Sequence, residues 1–121
     1  MRSNAAEIDA LVDRQLANIA QIELVALIRS LRVPPRVENR PWDYGSHGET
    51  LPCWIVLEHQ SSNTAVTYCS EGFGPTAPWG LLWLRGRLNM GMDSSWFVSL
   101  EDAVRDSRAW SGSNPPALAV S

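Results

Sequence analysis

The sequence contains no lysine, because its ten basic residues are all arginine. Without a lysine amine, neither Schiff-base catalysis nor phosphate binding by a P-loop lysine is possible. The arginines do not form a concentrated basic stretch either, since pairs such as Arg29 with Arg32 and Arg85 with Arg87 are too small for one. With a formal net charge of −3, this distribution argues against nucleic acid as the partner.

Soft metal ligands are also scarce, with two cysteines and two histidines in the chain. They form no Cys-x-x-Cys or His-x-x-x-His pair, so we expect no structural zinc site and no cofactor. The N-terminus is not an apolar secretory signal, and no run of about 18 apolar residues could span a membrane. We therefore expect a cytoplasmic protein with reduced cysteines.

The apolar content of 45% and charged content of 19% are those of a folded globular protein. A chain of 121 residues corresponds to one domain. We assign residues 1–110 to a single α+β domain. Residues 111–121 contain Pro115-Pro116 and little apolar surface, so we expect a disordered tail.

Helical periodicity extends from residue 4 to residue 32, with Ser3 or Asn4 as N-cap and Pro34-Pro35 as the stop. The apolar positions form two stripes rotated by about a third of a turn or more: Ile8, Val12, Leu16 and Ile19, then Leu24, Leu27, Ile28 and Leu31. A straight helix of this length would also exceed the expected domain diameter. The pattern predicts a break or bend between about Ala17 and Gln21.

The middle of the chain reads as a run of strands. Residues 36–44 predict an edge strand, because Pro41 cannot donate to a ladder. Residues 51–59, 64–69 and 80–84 predict further strands, and Ser99 begins a capping box for a helix to about Trp110. The expected fold is α+β, with an N-terminal helix or broken helix pair, an antiparallel meander of three to five strands, a C-terminal helix, and helices on one sheet face.

Strict alternation along residues 51–59 places Trp54, Val56 and Glu58 on one face and Cys53, Ile55 and Leu57 on the other. Whether the two cysteines lie on the same face depends on the length of the turn between the two strands. An odd loop centred on Ser61 makes Cys53 and Cys69 face each other, whereas an even loop puts them on opposite faces.

Glu58 and His59 are the most obvious acid–base couple. Consecutive strand residues point to opposite faces, so we expect them not to share one substrate. No Gly-x-Ser-x-Gly elbow accompanies Ser94 or Ser95, and Asp93 in that segment is typical of a turn.

Aromatic and glycine residues concentrate in the middle, since five of six tryptophans and seven of eight glycines lie between Trp42 and Trp96. We expect the strand tryptophans Trp54, Trp79 and Trp83 to serve mainly the core. The predicted partner-binding surface, called the loop surface below, comprises Trp42, Asp43, Tyr44, Glu49, Asp93 and Trp96. Aromatic anchors beside acidic groups suit a basic protein partner.

Four blocks resemble those of short uncharacterised bacterial proteins: Pro41-Trp42-Asp43-Tyr44-Gly45, residues 53–59, Glu71-Gly72-Phe73-Gly74-Pro75 with Pro78-Trp79-Gly80, and residues 90–97. In size, acidity and tryptophan content the chain is similar to cytosolic immunity proteins that neutralise polymorphic toxins. That resemblance implies an antidote but carries over no residue role.

The leading hypothesis is a non-catalytic protein-binding module, in the manner of an antidote that occludes a basic toxin domain. The alternative is a small-molecule-binding protein or small enzyme, with a pocket at the sheet–loop edge holding Glu58, His59 and Asp93. A third hypothesis is a homodimer formed through the N-terminal helix.

Overall fold

Three helices pack on one face of a five-stranded antiparallel sheet in the computed structural model, which describes residues 4–41, 50–71, 76–85 and 96–110. The helices are α1 (Ala5–Ala17), α2 (Ile22–Leu31) and α3 (Leu100–Asp106). The strands are β1 (Arg32–Pro41), β2 (Thr50–His59), β3 (Thr64–Tyr68), β4 (Trp79–Trp83) and β5 (Trp96–Phe97). This confirms the predicted fold class; the predicted tail, residues 111–121, lies outside the described residues.

The N-terminal helix is broken where the two apolar stripes part. Asn4 caps α1 by accepting a hydrogen bond from the Glu7 backbone N–H at 2.9 Å. The helix ends at Ala17, and α2 begins at Ile22. Each helix can thereby turn its own stripe to the sheet, because a single straight axis could not bury both.

The sheet is a simple meander in the order β1-β2-β3-β4-β5, with β1 at one edge. Edge position suits Pro34, Pro35 and Pro41, which lack an N–H for a second neighbour. The β2–β3 register changes between Ile55 and Leu57, where one residue is inserted on β2. This β-bulge interrupts alternation and leaves Ile55, Val56 and Leu57 all buried.

Two apolar clusters define the two faces of the sheet. The helix face packs strand residues such as Leu57, Val66 and Trp79 against all three helices. The far face carries a second cluster: Leu51, Cys53, Ile55, Ala65, Cys69, Leu82 and Trp96. Among the described residues, no helical side chain belongs to this far-face cluster.

The bulge corrects the predicted faces of two β2 residues. Leu57 joins Trp54 in the helix-face core. Glu58 lies opposite Ala65 of the far-face cluster. The prediction was wrong here because an inserted residue reverses the alternation of all positions after it.

The C-terminal helix begins as predicted, with Ser99 Oγ accepting a hydrogen bond from the Asp102 N–H at 3.1 Å. Its first N–H, from Leu100, donates to Gln15 Oε1 of α1 at 3.0 Å. The helix ends at Asp106 rather than near Trp110. The Arg105 guanidinium instead lies 5.8 Å from the centroid of the Trp110 ring, which packs against the core.

Candidate functional site

Five of the six residues of the predicted loop surface lie outside the described residues: Trp42, Asp43, Tyr44, Glu49 and Asp93. The segment with the first four connects Pro41 of β1 to Thr50 of β2, which are paired neighbours. The segment with Asp93 leads into β5, at the other side of the sheet. Four strand intervals separate β1 from β5, which corresponds to about 19 Å. The two halves of the predicted surface are therefore anchored at opposite sides of the sheet.

Trp96, the sixth residue, is not an exposed anchor. Its side chain is only 7% exposed and belongs to the far-face cluster. The ring lies over Gly80 of β4, so close that a Cβ at that position would meet ring carbons at 2.7 Å. The prediction of Trp96 as an exposed anchor was wrong because Gly80, opposite it, has no side chain, so the ring packs directly on the backbone of the sheet.

Glu58 and His59 are separated by the sheet, as alternation predicts. Glu58 forms an ion pair with Arg36 and accepts a hydrogen bond from Gln60 Nε2 at 2.9 Å on the far face. His59 contacts hydroxyl groups of the adjoining turn, with Nδ1 2.6 Å from Ser62 Oγ and Nε2 3.2 Å from Ser61 Oγ. The two side chains do not meet on one substrate.

The Glu58 carboxylate belongs to a row of alternating charges on the far face. Arg36 bridges Glu58 and Glu38, and Glu38 in turn contacts Arg40, with Oε1 2.6 Å from Nη2. Arg40 is only 2% exposed. Burial alone would raise the pKa of Glu38, but the hydrogen bond and positive charge of Arg40, helped by Arg36, hold that pKa below its ordinary value.

His59 lines a small cavity on the helix face, together with apolar residues that include Leu57, Val66 and Val104. Its volume is about 10 Å³, which is room for about one water molecule. A metabolite does not fit there without rearrangement. Asp93, the third residue of the predicted pocket, lies outside the described residues.

A wider, open concavity of about 510 Å³ lies where α1 begins and β1 leaves α2. Its polar lining comes from Asp9, Arg29 and Arg32. Arg32 is already held by Asp9 at 2.8 Å and Asp13 at 2.7 Å, which fastens the start of β1 to α1. Neither Glu58 nor His59 lines this concavity.

The two cysteines meet on the far face. Pairing of Trp54 with Tyr68 and of Ile55 with Thr67 is the odd-loop register, whereas the residues nearer the turn follow the even one. The bulge joins the two registers. The odd-loop and even-loop alternatives each assume one register along the whole hairpin, so neither describes all of it. The two cysteines form no disulfide, and both thiols are buried. A hydrogen bond with Cys69, and then burial, raise the pKa of the Cys53 thiol.

Two features of the structure were not predicted from the sequence. The ion-pair row could have been suspected from the Arg-x-Glu-x-Arg pattern at residues 36–40, which puts three charges on one face of a strand. The exposed apolar side chains Ile22 (80%) and Val98 (71%) had no comparable signal. Ile22 opens α2, and Val98 precedes α3.

Within the described ranges, no three potential ligands of the His, Cys, Asp and Glu types cluster as a metal site would require. Nor does any helix in those ranges combine the length and apolarity needed to cross a bilayer. No family model, no curated protein and no solved structure matches this chain.

Proposed function

We propose that the protein is a non-catalytic binding module for a basic protein, acting by occlusion as an antidote does. The observation that carries the proposal is that Glu58, His59 and the two cysteines, the candidate reactive side chains among the described residues, are engaged by or buried in the fold itself. Glu58 neutralises Arg36, His59 contacts the turn serines, and both thiols are buried.

Charge supports the choice of a basic partner. Among the described residues, four arginines form ion pairs: Arg32, Arg36, Arg40 and Arg105. The formal charge of −3 remains. A net negative charge attracts a basic partner and speeds its association at low ionic strength.

The binding residues in this proposal are those of the loop surface other than Trp96. Trp42 and Tyr44 are the anchors, and Asp43, Glu49 and Asp93 supply negative charge. Trp96 is left out because its side chain is buried in the far-face cluster. Tryptophan and tyrosine are among the residues that most often carry the binding energy at protein interfaces.

The test is capture of the partner from the source cell with tagged protein, followed by affinity measurements on the identified complex. The variant Trp42→Ala/Tyr44→Ala should weaken binding at least tenfold, and affinity should fall as salt is raised. Identification of a protein encoded by an adjacent gene would point to an antidote.

The matched control is Ile22→Ala, an exposed apolar side chain on the helical layer. It should bind like the wild type. Equal loss in both variants, an acidic partner, or affinity insensitive to salt would each contradict the proposal. The third hypothesis has its own measurement, the mass of the protein in solution: a monomer at every concentration would contradict a homodimer.

A further inference from the structure

Cys53 of β2 and Cys69, which directly follows β3, both belong to the far-face cluster, which the proposed function does not use. We propose that this pair is an oxidation site, at which a hydroperoxide converts the two thiols into an intrachain disulfide joining β2 to β3.

The register places the pair opposite one another. Trp54 pairs with Tyr68 and Ile55 with Thr67, so one further step outward brings Cys53 opposite Cys69. The Cys69 N–H donates to the Pro78 carbonyl at 2.8 Å, which is towards β4 and away from β2. Cys53 and Cys69 therefore form a non-hydrogen-bonded pair, whose Cα atoms are about 4.5 Å apart. That separation is within the range of natural disulfides.

The surroundings favour an internal product. Cys53 is 0% and Cys69 1% exposed, and the chain contains no third cysteine. The two thiols hydrogen-bond with each other, and Cys53 Sγ also lies 3.7 Å from the Leu51 carbonyl oxygen. Because a buried sulfur is hidden from a second molecule, its nearest reaction partner is the facing sulfur.

The same contacts make the reaction slow while the strands stay paired. The hydrogen bond with Cys69 and burial raise the pKa of the Cys53 thiol, so the nucleophilic thiolate is scarce near neutral pH. Oxidation is accordingly expected to accelerate at alkaline pH and when β2 and β3 open locally.

The chemistry balances with hydrogen peroxide as the oxidant. One sulfur, having lost its proton, attacks a peroxide oxygen; the S–O bond forms, the O–O bond breaks, and one water leaves. The second sulfur then attacks the first, forming the S–S bond and releasing the oxygen as a second water. Two thiols lose two electrons, and one peroxide is reduced to two waters.

The experiment treats the reduced, full-length protein at low concentration with hydrogen peroxide, followed by alkylation, intact mass and peptide mapping. The expected product is a monomer that has lost two hydrogen atoms, with the peptides containing Cys53 and Cys69 joined. Because the bridge closes a loop on the order of 15 residues, the oxidised protein should melt on the order of 10 °C higher than the reduced one.

The matched control moves one thiol by a single residue. In Cys69→Ser/Ser70→Cys the new thiol occupies an exposed position in the bend after β3, outside the buried far-face cluster, so it should not close with Cys53. Cys69→Ser alone should form no intrachain bridge. If these variants do not fold, mapping of the wild type with and without denaturant replaces them. Interchain dimers or sulfinic acid as the main product, closure of the moved thiol at the wild-type rate, or a lower melting temperature after oxidation would overturn the proposal.

Discussion

The side chains on the two faces of the sheet are buried in different ways. The helix face is covered by three amphipathic helices, whose apolar side chains interlock with Leu57, Val66 and Trp79. The far face instead combines an apolar cluster with a row of ion pairs from β1, in which Arg40 is almost fully buried. Apolar packing is insensitive to pH and redox conditions, whereas carboxylates and thiols are not. The helix face is therefore held mainly by apolar contacts, whereas the far face also contains carboxylates and thiols, whose state depends on conditions.

The largest effect on stability is expected from removing a large side chain from the helix-face core. Trp79 is 2% exposed, and its ring packs edge-on against Tyr68 with centroids 4.9 Å apart. Trp79→Ala should lower the free energy of unfolding by about 3–5 kcal/mol, because a large cavity opens in packed core. Urea denaturation measures it, with Ile22→Ala as a surface control; a loss as small as that of the control would contradict the assignment of Trp79 to the core.

On the far face, the contact between Trp96 and Gly80 gives the next effect. A Cβ on Gly80 would meet the indole at 2.7 Å, so Gly80→Ala should cost about 1–3 kcal/mol through displacement of the ring. Combining it with Trp96→Phe, which shortens the ring system, should recover part of the loss. Simple addition of the two losses in a double-mutant cycle would show that the two positions do not interact.

The ion-pair row should make the far face sensitive to acid. The pKa of Glu38 is lowered in the folded protein, so its contribution to stability is present above the unfolded value of about 4.3 and disappears as pH falls through the folded value. Glu38→Gln should lower the free energy of unfolding by about 1–2 kcal/mol at pH 7, with a smaller gap below about pH 4.

The matched control for that change is Glu71→Gln, at an exposed position without an ion pair among the described residues. Its stability difference from the wild type should stay within about 0.5 kcal/mol at every pH. A Glu38→Gln difference that is constant with pH would mean that the carboxylate charge does not stabilise the far face.

The smallest expected effect concerns the cap that starts α3. Ser99→Ala removes the acceptor of the Asp102 N–H and should cost about 1 kcal/mol. Ser99→Asp should restore most of it, since a carboxylate is an equally good N-cap. Chemical denaturation of the three proteins measures both differences, and equal stabilities would show that the helix is held by its core contacts alone.

Most of the fold could be predicted because its signals are local. The two apolar stripes located the break between α1 and α2, Asn4 and Ser99 marked helix starts, and Pro41 placed β1 at an edge. The short strand β5 was not identified, since two residues are too few to establish a period. Less of the candidate site could be predicted, because a tryptophan's burial depends on what lies opposite it, as Gly80 does for Trp96.

The sequence by itself determined the α+β class, the starts of the helices and the separation of Glu58 from His59, because periodicity, caps and alternation act within a few residues along the chain. Tertiary structure alone decided the bulge after Ile55, the transfer of Leu57 and Glu58 between faces, and the meeting of Cys53 with Cys69. These depend on strand register, which is set by contacts between residues distant in the chain and which a single inserted residue reverses.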